Sequence, residues 1–257
     1  MYPEGGDATL FDPYLHYLSD ASARDPALQT RFKLLIRDAG GLYNQNDAQT
    51  AVGQGAIQLT YSGPHFLEQW DPAWKLLEAP GVIDDWGHFM RVMETEAFKE
   101  LVSDFAKEGV TILNWIGNIG DVYCYTDKII EGIDGMKGLK VRYFAGEAQA
   151  RALTALGADA VFLPYTEVIT AFQTHQLQGI WTDPPSAFNY YQLYRYCPCV
   201  LPYRISIQPL CMVCNTQWLE SLPSSGDPLN PDVRESFLRT FQRIETWRAG
   251  DEMAGIG

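Results

Sequence analysis

Three observations predict an α/β fold of two similar lobes. Segments that alternate apolar and polar residues at period two are interleaved with segments of helical period along most of the chain, the pattern of strands and helices in a mostly parallel arrangement. At the centre, residues 139–144 read as a strand, punctuated by Gly135 and Gly138 before it and by Ala145 and Gly146 after it. A helix is predicted over 147–156, with Gly157 at the position where a left-handed glycine ends a helix. The third observation is internal similarity. Residues 50–64 align without a gap on 170–184, with Thr, Ala, Gln and Pro coinciding and an aromatic–hydroxyl pair (Tyr61-Ser62, Trp181-Thr182) closing each copy. Each copy reads as a short helix feeding a strand, which suggests two lobes presenting strand ends to a shared cleft. Helix-to-strand turns share composition, so coincidence is the competing reading.

In order along the chain, 1–13 read as a loop carrying Glu4 and Asp7, and 13–23 as a helix. Residues 31–36 have the apolar content of a strand, ended by 38–41. Asn46-Asp47 can cap a helix to Val52, and 56–61 read as a buried strand. Helices are predicted over 85–93 and 96–108, then strands over 111–115 and 123–126. After the central unit come a strand at 161–163, a helix from Thr166 to Leu177 with Val168, Ala171, Phe172 and His175 on one face, and a strand over 205–215. Residues 231–248 form a final helix with Val233, Phe237 and Phe241 on one side. The expected lobes are 1–120 plus 205–229 and 121–204, with 230–257 bracing them.

With 257 residues, 46% of them hydrophobic, the chain can bury one large core or two ordinary ones. A net charge of -13 and a pI near 4.6 argue against nucleic acid or an anionic membrane as partner. No apolar run has the length of a membrane span, and the first residues do not read as a signal peptide, so a mature or trimmed start is expected. Cys124, Cys197, Cys199, Cys211 and Cys214 are too few for a disulfide scaffold. Cys197-Pro-Cys199 and Cys211-Met-Val-Cys214 resemble a four-thiolate zinc site, but the first spacing is too tight and the second lies in a strand-like run; apolar strand cysteines or a disulfide fit better, and no metal or cofactor is expected. The four histidines are scattered, and no nucleophile elbow, Walker loop or dinucleotide fingerprint occurs.

Arg142 is the leading candidate for a binding residue. A cation at the carboxyl end of a strand, just ahead of a helix, is how an open α/β sheet presents an anion site; a surface arginine on an edge strand is the alternative. Gly138-Leu-Lys-Val-Arg142, Ala155-Leu-Gly157-Ala158, Leu163-Pro-Tyr-Thr-Glu167-Val168, Ala171-Phe-Gln173-Thr174 and Asn215-Thr-Gln-Trp218-Leu-Glu-Ser-Leu-Pro223 occur in one order. Together they resemble the DctP-type solute-binding proteins of tripartite ATP-independent periplasmic (TRAP) transporters, over roughly residues 30 to 225.

The resemblance implies a two-lobed periplasmic-binding-protein-like fold with hinge strands, an organic acid held between lobes, a periplasmic location and TRAP permease subunits as partners. It implies that Arg142 pairs with the ligand carboxylate, to which a guanidinium offers a planar fork. It also places Tyr165 and the segment Trp181-Thr182-Asp183 at the ligand, with Tyr61 and Ser62 opposite by the internal echo. Aromatic core is the competing account of Tyr61, Tyr165 and Trp181. Glu167 opens a helix, and a contact with its dipole explains it better than ligand binding. Departures from the family pattern bear on the ligand. A second basic residue before the central unit is replaced by Gly120-Asp121-Val122-Tyr123, and Asp183 stands where an asparagine is expected. One arginine, one aspartate and several aromatics suit a sugar acid, hydroxy acid or amino-acid derivative better than a small dicarboxylate. The family also extends beyond both ends of this chain, so truncation is expected. An enzyme of lyase or dehydratase type using Asp183 or Glu167, and a sensor domain, are the alternatives on the same fold.

Overall fold

The computed structural model describes residues 19–29, 33–37, 42–144, 146–224 and 232–241, with the side chains of 118 and 119 excepted. Glu4, Asp7, the start of the first predicted helix, the turn at 38–41 and residues beyond 241 lie outside them. The chain forms two compact units. The first takes its described residues from Met1–Ser62, Val102–Gly117 and Leu210–Gly257, the second from Gly63–Leu101 and Asn118–Pro209. Residues 63–101, expected in the first lobe, therefore belong to the second. Their anchors are polar contacts within that unit: Glu68 accepts from the Glu147 N–H at 2.7 Å, and Lys75 reaches Glu147 at 3.2 Å.

In the first unit, helix α1 (Gln45–Gly53) leads to β1 (Leu59–Ser62). Asn44, two residues ahead of the expected cap, accepts from the N–H groups of Asn46 and Asp47. β1 pairs antiparallel with β7 (Ser206–Asn215), Tyr61 facing Met212 and Ser62 facing Cys211. The core of this unit is Leu28, Ile116, Met212, Cys214, Leu219 and the predicted stripe Val233, Phe237 and Phe241. Residues 33–37 alternate exposed and half-buried, and Leu34 packs on this core, yet no ladder forms there. The alternation predicted for a strand is present, without a partner strand among the described residues.

Helices α2 (Pro64–Leu67) and α3 (Trp86–Met93) belong to the second unit; α4 (Glu96–Ala106) continues from there into the first. Asp85 caps α3 by accepting from the His88 N–H. The two strands predicted at 111–115 and 123–126 are one strand, β2 (Val110–Thr126). Gly117, at φ 130°, takes a backbone conformation that a side chain would resist while the strand continues.

The second unit's sheet is β2–β5–β3–β4, with β6 (Cys199–Val200) on β2. β3 (Lys140–Tyr143) pairs parallel with β4 (Asp159–Phe162) and β5 (Gly179–Thr182), whereas β5 pairs antiparallel with β2. The sheet is thus mixed rather than mostly parallel. Parallel pairing is confined to the strands joined through helical crossovers, α5 (Glu147–Ala155) and α6 (Val168–Gln173). α5 ends as predicted: Gly157 has φ 80°, its N–H bonds the Thr154 carbonyl and the Ala158 N–H bonds that of Leu153, the paired bonds of a Schellman motif.

The internal echo holds in the backbone. β1 and β5 occupy matching positions of the two aligned segments. The helix ends match as well. Gly55 (φ 75°) aligns with His175 (φ 58°), Ala56 N–H bonds Ala51 as Gln176 bonds Ala171, and Gln54 bonds Thr50 as Thr174 bonds Thr170. A residue in the left-handed region at the same place in both copies is uncommon enough to weigh against coincidence. α6 is shorter than the predicted 166–177 helix because of that reversal, which leaves His175 exposed rather than on the buried face.

Candidate functional site

Strand register decides which side chains share a face, since paired residues point the same way and neighbours in sequence point oppositely. Arg142 pairs with Ile180 on one side and Val161 on the other; Ile180 pairs with Tyr125, and Thr182 with Tyr123. One face of the second unit's sheet therefore carries Tyr123, Tyr125, Arg142, Val161, Ile180 and Thr182. α6 and the stretch after β5 cover it, packing Val168, Phe172, Tyr165, Tyr190 and Tyr191 against Tyr125 and Ile180.

Arg142 is 1% exposed, so it is no surface arginine. Its Nε donates to the Leu163 carbonyl at 3.0 Å, and the guanidinium lies 5.8 Å from the Phe144 ring centre. The nearby Tyr191 phenol also favours its charged form. Nη2 is buried and has no hydrogen-bond partner. Burial lowers the guanidinium's pKa from its usual range, opposed by Tyr191 and Asp183. An arginine stays protonated in a protein regardless, so the result is a buried cation with an unused donor.

Asp183 follows Thr182 directly and is also 1% exposed. Its Oδ1 accepts from the Ser186 N–H at 2.8 Å and its Oδ2 from the Ser186 hydroxyl at 2.7 Å. The carboxylate thereby holds the first turn of a π-helix, Ser186–Tyr190. Burial pushes its pKa up, against the lowering effect of Ser186 and Arg142. Tyr125, desolvated and near the Asp183 charge, is pushed up to about 12 and keeps its hydroxyl proton. Tyr165 lies beside Tyr190 with ring centres 5.7 Å apart, and Tyr190 beside Tyr191 at 4.8 Å.

The structure brings Arg142, Tyr165, Thr182 and Asp183 together on this face. Trp181 lies on the opposite face, paired with Cys124 and 1% exposed. Tyr61 and Ser62 belong to the first unit, where Tyr61 packs on the core and the buried Ser62 hydroxyl has no hydrogen-bond partner. Glu167 is exposed in a 3-10 turn with no capping bond. The helix N-terminus expected to share the anion with Arg142 is already occupied, because Glu68 supplies a carboxylate to the first N–H of α5. Tyr123, Tyr125 and Tyr191 share or cover the Arg142 face and were not anticipated from the sequence. The first two were signalled by their period-two spacing, the third only by an aromatic cluster after Asp183. The cysteines are free thiols. Among the described residues no helix is long and apolar enough to cross a membrane.

Residues 24–242 match the model of the DctP family, the bacterial extracellular solute-binding proteins of family 7. A solute-binding protein of Chromohalobacter salexigens is 24% identical over 160 residues, 59% of this chain and 48% of that one. The chain spans about half the length of the curated relatives it matches. The sugar acid binding protein DctPAm of Advenella mimigardefordensis, solved with galactonate, superposes with a TM-score of 0.82 at 17% identity, covering 97% of this chain and 79% of that one. A TRAP periplasmic solute binding protein of Pseudomonas aeruginosa, solved with L-malate, gives 0.81 at 17% identity, covering 93% and 80%. These likenesses establish the fold as the two-lobed α/β fold of periplasmic binding proteins.

Proposed function

Because the chain belongs to the DctP family of bacterial extracellular solute-binding proteins, we propose that it binds a small organic acid through an Arg142–carboxylate clamp and hands it to a TRAP permease in the membrane. The observation that carries this reading is the buried guanidinium whose Nη2 has no hydrogen-bond partner. A buried donor left without an acceptor is costly, and an entering carboxylate is the group whose geometry meets that free edge of the guanidinium.

The surroundings favour an acid that carries hydroxyl or amino groups: a sugar acid, a hydroxy acid or an amino-acid derivative. Tyr123, Tyr125, Tyr165, Tyr190 and Tyr191 offer ring faces and phenol groups around the clamp, which suits a polar ring or chain. Thr182 adds a hydroxyl on the same face. Trp181, turned away from Arg142, acts from behind the sheet as packing for β5. Ser62, with a buried hydroxyl that has no hydrogen-bond partner, and Tyr61 are the first unit's candidate ligand groups. Delivery takes place in the periplasm, and the role is binding without turnover.

Thermal unfolding with a panel of acids (galactonate, glucuronate, lactate, pyroglutamate, L-malate and succinate) tests the clamp. A ligand at about 100 times its Kd that binds only the folded state adds roughly 2.7 kcal/mol. The expected result is a shift with at least one acid, lost in a folded Arg142→Ala variant. No shift with any acid, or the same shift in Arg142→Ala, overturns the clamp.

A further inference from the structure

We infer that Asp183 couples this site to protons, so that an acid binds at Arg142 with uptake of one proton by the Asp183 carboxylate. The inference rests on the proposed carboxylate reading. Without ligand, the buried cation and the buried anion balance. An arriving carboxylate brings a second negative charge to one guanidinium in a place from which water is excluded, and two close anions sharing one cation in a desolvated site are relieved when one of them takes a proton.

The hydrogen bonds around Asp183 are built to accept that proton. Oδ1 faces a backbone N–H, that of Ser186, which can only donate. Oδ2 faces the Ser186 hydroxyl at 2.7 Å, and a hydroxyl can turn round and accept. The proton therefore goes from solvent onto Oδ2. The new O–H donates to Ser186 Oγ while Oδ1 keeps its bond, and neither oxygen loses a partner. Burial favours the same direction, since it already raises the Asp183 pKa. The other titratable groups against Asp183 are Arg142 from β3, Tyr125 from β2 and Tyr191 at the end of the π-helical turn. Asp121, further back on β2, is matched by Arg204 at 3.7 Å. Tyr125 titrates too high to supply the proton in the neutral range.

An asparagine here would mimic the protonated aspartate, accepting through Oδ1 and donating through Nδ2 to Ser186. Asp183→Asn is therefore a variant that preserves the local bonds. The experiment uses the panel acid giving the largest thermal shift and measures its Kd across the neutral range by calorimetry in two buffers of different ionisation heat. In wild type the heats are expected to differ as uptake of one proton requires, and Kd to weaken by about tenfold per pH unit between the Asp183 pKa of the free protein and its higher value in the complex. In Asp183→Asn, Kd is expected to be flat with pH, with no buffer dependence. A wild-type Kd independent of pH, or an Asp183→Asn slope equal to that of wild type, overturns the inference while leaving the clamp in place. Binding of no acid at all appears already in the thermal panel and overturns both.

Discussion

His175 sits at φ 58° in the position where the other copy of the same turn has Gly55 at φ 75°. The reversal ends α6 and turns the chain toward β5, so the backbone conformation is required and the side chain is not. A Cβ in the left-handed region costs roughly 1–2 kcal/mol, part of which glycine returns as unfolded-state entropy. His175 is exposed and on no packed face. His175→Gly is therefore expected to stabilise the protein by about 0.5–1 kcal/mol, read as a rise in the urea midpoint at unchanged slope. Gly55→Ala, with no atom closer than 3.6 Å to the new carbon, is expected to lose about 1 kcal/mol from backbone strain alone. A histidine variant no more stable than wild type would mean that the imidazole makes a compensating interaction.

At the scale of elements, one amide holds two helices. Asn215 ends β7, and its Oδ1 caps α7 (Thr216–Ser221) by accepting from the Trp218 N–H at 2.8 Å. Its Nδ2 donates to the carbonyls of Val52 and Gly53, at the C-terminal end of α1, at 3.0 and 3.3 Å. Asn215→Ala removes a cap and the amide's two bonds to the end of α1, so a loss of about 1–2 kcal/mol is expected in chemical denaturation. Asn215→Asp keeps the cap but sets a charge against the α1 carbonyls, and it is expected to rescue less than half of that loss. Elements of this kind were legible in the sequence where the signal was local. The helix-to-strand echo, the Gly157 stop and the apolar stripe of Val233, Phe237 and Phe241 all follow from period and from glycine placement. Arg142 was legible because it ends a strand. Joining 111–115 to 123–126 was not, since the intervening glycines read as loop. Nor was the tyrosine ring around Arg142, which depends on the register between β2, β5 and β3, a long-range fact that no window of sequence contains.

Taken whole, the protein buries thiols and phenols in their neutral forms. Cys124 and Cys214 are pushed up to about 12 by desolvation, Cys197 is raised further, and Tyr125 reaches about 12. Each folded pKa lies above the unfolded value, so the stability these groups contribute is complete below the unfolded thiol value near 9 and is lost as pH climbs toward 12. The urea midpoint is expected to hold up to about pH 8.5 and then fall steadily. A midpoint unchanged at pH 10.5 would show that these thiols are open to water. Native labelling offers a second reading, since Cys199 alone among the five is not buried and should react well ahead of the others.

The two units are interleaved along the chain: Gly63–Leu101 and Asn118–Pro209 alternate with the segments of the first unit. Neither is a contiguous piece of polypeptide. β1, synthesised early, has its ladder partner in Cys211–Cys214 of β7. A nascent chain that stops before Leu210 thus holds a first unit with an open sheet edge and a core lacking Met212, Cys214, Leu219 and Phe237. Folding of that unit has to wait for nearly the whole described chain, and pairing across so long a stretch is slow. That unit stays unfolded while the chain is being made, the state in which its segments can still be threaded through a narrow channel or held by a chaperone.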